Sequence, residues 1–199
     1  MDNKYKLTRN TMEVKGHTLH QIKALKDFRD VKKGDLGGWI ESYNNLSQTG
    51  LAWVYDNAKV YGNALVYGNA RVCDDARVYG DAHVFGNVQV YDDACIRDDA
   101  QVFGNARVYI NAMICGHAQV YGNAQVFGNT LDYVNVKICD NAQVYGNAQV
   151  YNCAKVCGNA LIYDNAQIYG KARVGGMAIV NDNLEVCGNS DIRDNDWKH

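Results

Sequence analysis

The chain contains no proline, only four methionines and no stretch of about 18 consecutive apolar residues. The last absence excludes a membrane-spanning helix. The opening Met1-Asp2-Asn3-Lys4-Tyr5-Lys6 also lacks the apolar run of a signal peptide. A surplus of either charge is missing too, since 20 Lys and Arg stand against 22 Asp and Glu, a formal net charge of −2. With no global basic field, direct nucleic-acid binding is not expected. The seven cysteines are odd in number and form no CxxC. That speaks against a disulfide framework or a zinc ribbon and for a reducing cytoplasm. What remains is one domain of 199 residues, 47% apolar and 21% charged, with enough apolar residue for a core and a composition unlike disorder.

Nineteen glycines without a proline indicate periodic use. From Val54 to Ile192 every sixth residue is a branched aliphatic, Asp132 being the exception among 24 positions. Two residues earlier runs a column from Ala52 to Ser190 that is Ala in 19 of 24 places. One residue after the aliphatic comes Tyr in 12 places, Phe in three and Cys in five. Gly or Asp and then Asn or Asp complete the unit Ala-x-Val-Tyr-Gly-Asn, which runs without insertion.

Ala and Val alternate with x and Tyr, the period-two pattern of a short strand with one buried face. Gly-Asn supplies a turn, because both residues tolerate positive φ. Six residues are too few for a helix and its return, so the repeat predicts a solenoid of strand and corner, three units to a triangular coil. The units make about eight coils, a prism roughly 38 Å long at about 4.8 Å per strand step. An aliphatic at i with a small residue at i+4 resembles the transferase-hexapeptide superfamily over residues 52–195. The resemblance implies an all-β, left-handed parallel β-helix. Tyr after the aliphatic departs from that family, which usually places a small or polar residue there.

Ahead of the repeat, Tyr5-Lys6-Leu7 and Leu19 to Leu25 read as two strands joined around Lys15-Gly16-His17. The stretch Asp27-Phe28-Arg29-Asp30-Val31-Lys32-Lys33-Gly34-Asp35-Leu36-Gly37-Gly38-Trp39 resembles uncharacterised hexapeptide-repeat proteins of bacteria and phages. Residues 1–45 are expected to form a β-hairpin cap, 46–195 the β-helix and 196–199 a tail. A cap is needed because an open solenoid end exposes apolar core and unpaired strand edges.

Residues one coil apart stack, so the Tyr column forms three outward ladders. The first includes Tyr55, Tyr91, Tyr109 and Tyr145, and the second Tyr61, Tyr79, Tyr133 and Tyr151. The third runs Tyr67, Phe85, Phe103 and Tyr121, then changes to Cys139, Cys157 and Gly175. Such ladders stabilise the rod by stacking and also offer flat recognition surfaces. Asp74, Asp75, Asp92 and Asp93 stack on one corner, and Asp98 and Asp99 on the next. These acids replace turn Gly and Asn, and an acidic docking patch is the alternative reading. His117 is the candidate general base, with Asp99 one coil above to orient its imidazole. The resemblance implies acyltransferases that work with a His at a subunit interface, but those enzymes extrude loops over their substrate and this repeat has none. Three His for a zinc site are not available within the helix, and neither a metal nor another cofactor is expected. Cys139 and Cys157 are coil neighbours for which a disulfide is sterically conceivable, free thiols being preferred. An unpaired carboxylate inside an apolar prism is costly, so a bulge is expected at Asp132, turning Leu131 or Val134 inward.

The expected function is a non-catalytic scaffold that engages a protein partner through aromatic faces and acidic corners. The phage resemblance extends this to a host or defence protein met in the host cytoplasm. The alternatives are a hexapeptide-type acyltransferase around His117 and a purely structural rod. A closed homo-oligomer, dimer or trimer, is expected, because a thin C-terminal cover around Trp197 contrasts with the cap that blocks head-to-tail growth.

Overall fold

The computed structural model describes residues 3–193, except for the side chains of 132–134. Two long strands come first, β1 (Tyr5–Val14) and β2 (His17–Ala24), followed by β3 (Leu36–Ile40). After them come 24 strands of two to four residues, from Trp53–Val54 to Asp191–Arg193. These fall into one sheet of eleven strands and two of eight, and each sheet is one face of a parallel β-helix of about eight turns. No helix among the described residues is long and apolar enough to cross a membrane.

Every pairing within the repeat is parallel and in register at a step of 18 residues, as in Val72 to Val90 to Val108. The aliphatic column points inward and is almost fully buried along its length, with the Ala column beside it. A methyl at that second position lets three short strands close into a narrow triangle without a void. At nearly every corner the first turn residue adopts a left-handed φ, as at Gly62 (68°) and Asp98 (60°). Ile110 takes the same conformation at φ 61°, a costly place for a β-branched side chain.

The hairpin closes through Lys15-Gly16, both at positive φ, and β1 and β2 add antiparallel strands to the upper edge of the second face. β3 is the hinge of this arrangement, antiparallel to β2 and parallel to Lys59–Val60. Its Gly37 and Gly38 permit a close approach, since a Cβ on Gly37 would lie 2.5 Å from the Val54 carbonyl oxygen and one on Gly38 2.6 Å from that of Ala58. Beneath it Trp53 is buried, edge-on to Tyr5 and Phe28 at 6.0 and 5.3 Å. Buried Lys4 donates to the Ala52 carbonyl at 2.8 Å, and burial, with Lys26 and Arg29 nearby, lowers its pKa to about 8. Asn45 is fully buried and its Nδ2 donates to the carbonyls of Gly62 and Ala64, at 2.9 and 3.0 Å.

The bulge expected at Asp132 is absent from the pairing. Ile114, Asp132 and Val150 remain in register across three coils, and Leu131 is half-buried rather than turned inward. Buried Thr130 and Val136 keep the flanking small-residue positions, so the neighbouring rungs hold the backbone to the common path. The side chains of Asp132 and Val134 lie outside the described residues, as does the tail with Trp197.

Candidate functional site

Corner geometry brings His117 and Asp99 together. They occupy the edge between the second and third faces one coil apart, with His117 Nδ1 3.4 Å from Asp99 Oδ2. Gln101, Gln119, Asn135 and Lys137 complete a concavity of about 510 Å³. A carboxylate that orients an imidazole is the arrangement a general base requires. The side chains are, however, 66% and 55% exposed, so water screens the pair. From Trp53 to Arg193 the strands are joined only by short turns, and no extruded loop roofs the groove.

The candidate docking residues separate into two groups. Asp74, Asp75, Asp92 and Asp93 lie on the corner that follows the first face, close to half-buried Tyr91 and Tyr109. Asp98, Asp99 and Tyr151 belong to the second face and its following corner, while the Tyr133 side chain lies outside the described residues. Tyr91, Tyr109, Phe127, Tyr145 and Tyr163 form a continuous stack with centroids 4.6–5.1 Å apart. On the second face, Tyr151 stacks on Tyr169 at 4.9 Å.

Several acids have a structural task that the sequence reading did not assign. Asp74 Oδ2 accepts the Asp92 N–H at 3.1 Å, Asp92 Oδ2 that of Ile110 at 3.0 Å, and Asp98 Oδ2 that of Gly116 at 3.1 Å. Each carboxylate therefore staples its corner to the next coil. Asp75 and Asp93 occupy the adjacent column and are exposed. Further along that edge the column becomes an amide ladder, in which Asn111, Asn129, Asn147 and Asn165 each donate to the next amide, ending at the Asn183 Oδ1, at 3.1–3.3 Å. A longer ladder runs from Asn69 to Asn159 on the edge between the third and first faces, at 2.9–3.1 Å.

None of the seven cysteines is in a disulfide. Burial pushes Cys73 up to about 11 and also raises Cys139, so neither is an activated nucleophile. Cys139, Asp140 and Cys157 offer ligand atoms within 4.8 Å of one another. A second imidazole–carboxylate pair, outside the repeat, lies in the cap. His17 Nδ1 lies 3.0 Å from Glu41 Oε1, and the other Glu41 oxygen accepts the Gly62 N–H at 2.7 Å. Burial works to raise the Glu41 pKa, but these two hydrogen bonds outweigh it and hold the carboxyl below its usual range. No periodic signal links these residues, because both belong to the irregular cap.

The repeats have known relatives. The family model described as YdcK Beta solenoid repeat matches residues 58–74, 70–86, 76–92, 100–116, 118–133 and 154–170. Over 38 residues the chain is 50% identical to a protein of Escherichia coli (strain K12) named Uncharacterized acetyltransferase YdcK. That stretch is 19% of this chain and 12% of the length of the relative. All six family matches lie inside the coils, where the six-residue columns and the three parallel sheets coincide. The chain is a hexapeptide-repeat β-helix protein, with repeats similar to those of the YdcK β-solenoid.

Proposed function

We propose that the protein is a binding scaffold whose first face and its acidic corner engage a protein partner. The observation that carries this reading is the five-ring stack from Tyr91 to Tyr163, half-buried and uninterrupted by any loop, beside exposed Asp75 and Asp93. Rigid aromatic rings contribute contact area with little loss of side-chain entropy, and flanking charge selects the partner and its orientation. The chain assembles as a closed dimer or trimer in this reading, since a flat aromatic face packs on its symmetry mate. Photo-crosslinking from position 109, compared with position 79 on another face, tests it. A partner or second copy captured from 109 and lost in Asp75→Asn/Asp93→Asn supports the reading. Equal capture from both positions overturns it. Light scattering during size exclusion reads the assembly, and a monomer at all concentrations refutes self-association.

The second reading is acyl transfer around His117. It is favoured by the 3.4 Å pairing with Asp99 and by the name of the relative. Calorimetry with acetyl-CoA discriminates: micromolar binding lost in His117→Ala would place catalysis ahead of scaffolding.

A further inference from the structure

On the third face Tyr67, Phe85, Phe103 and Tyr121 stack at 4.8–5.1 Å. The ladder then stops, and the next positions are Cys139, Cys157 and Gly175, paired through Ile138 to Val156 to Val174. Two sulfurs thus project from adjacent rungs where rings stood before. Asp140, the turn residue after Cys139, directs its carboxylate toward the same point, with Oδ2 held by the Gly158 N–H at 3.0 Å and 3.9 Å from Cys139 Sγ. Gly175 keeps space beside the lower sulfur, since a Cβ there would lie 3.3 Å from Cys157 Sγ.

We propose that Cys139, Asp140 and Cys157 form a binding site for a borderline-soft divalent cation of the zinc type. Their ligand atoms lie within 4.8 Å of one another. A tetrahedral ion with metal–sulfur bonds of about 2.3 Å brings its sulfurs to roughly 3.7 Å, a contraction that small side-chain rotations supply. Two thiolates select such an ion over magnesium or calcium, which prefer oxygen ligands. The exposed side of the turn leaves the fourth position to water. Binding forms two metal–sulfur bonds and one metal–oxygen bond, and the two thiol protons pass to solvent. The sequence spacing is Cys-Asp followed one coil later by Cys, so ligands distant in the chain meet through the stacking step rather than through a CxxC loop.

Titration of the reduced protein with Co²⁺ tests the site. The expected result is one equivalent bound with an intense thiolate-to-cobalt charge-transfer band. The band is lost in Cys139→Ser and in Cys157→Ser and retained in Cys73→Ser. Asp140 is exposed, so Asp140→Asn tests the third ligand without disturbing the core, and it should weaken binding at least about tenfold. No band in the wild-type protein, or a band that survives in Cys139→Ser/Cys157→Ser, overturns the proposal. Counting thiols before metal is added should give seven. A count of five in the unreduced protein, with a Cys139–Cys157 disulfide mapped by digestion, would equally overturn it.

Discussion

Where the cap meets the first coil, Trp53 is held by contacts outside the repeat, with Tyr5 and Phe28 edge-on and the backbone of Gly37 pressed against the coil. In the rod, Val108 is met above by Val90 and below by Val126, and each coil repeats this relation. The rod therefore spreads its stability over many similar nearest-neighbour terms, whereas the cap concentrates it in a few long-range contacts. A substitution in the first region should act on the whole end of the molecule, and one in the second only on its own coil.

Trp53→Ala should have the largest effect, a loss of about 3–5 kcal/mol, read as a lower urea midpoint. Hydrogen exchange should accelerate in β1–β3 and remain slow around Val144. Uniform acceleration would show that cap and rod unfold together, which would erase the contrast. The next effect depends on pH. The Lys4 pKa is lowered to about 8, so the unfolded chain binds more protons between pH 8 and the ordinary lysine value, and folding stability gains as pH rises through that window. Each unit of depression corresponds to about 1.4 kcal/mol. Compared with Lys4→Met, the wild-type protein should therefore gain stability between pH 7 and pH 9.5, while a constant difference would mean that Lys4 titrates normally.

Within the rod, Ile110 at φ 61° carries local strain. Ile110→Gly should stabilise by about 1 kcal/mol, raising Tm by about 2–4 °C for a chain of this size. An unchanged or lower Tm would count against strain at that corner. The smallest effect belongs to Asn105→Ala, which removes two amide bonds of an exposed ladder for about 1 kcal/mol or less. A loss as large as that at Trp53 would show that the rod is not made of independent increments.

The rod was legible because one count carries it: the columns through Val54, Val60 and Val66 fix which residues face inward and which stack. The cap details were not, because the period slips there. Leu46 bridges Val66 and Ile40 pairs with Val60, each across 20 residues rather than 18, and no extrapolation from the repeat places Asn45 or Lys4. At the candidate site the pairing of His117 with Asp99 followed from the columns. The role of Asp74, Asp92 and Asp98 did not, because a turn carboxylate reads as surface charge until the N–H of the next coil is seen beneath it. At Asp132 the cost of burying a carboxylate predicts a bulge, but the backbone keeps the register set by Ile114 and Val150.

The ladder from Asn69 to Asn159 has one more consequence. Each Nδ2 donates to the Oδ1 of the following coil. An amide reversed within the row would set donor against donor on one side and acceptor against acceptor on the other. The row can therefore change sense only as a unit, and hydrogen bonds in series polarise one another. This edge of the prism is a directional array: its dipoles add along the axis, and a ligand lying against it meets a different order of donors and acceptors according to which way it runs.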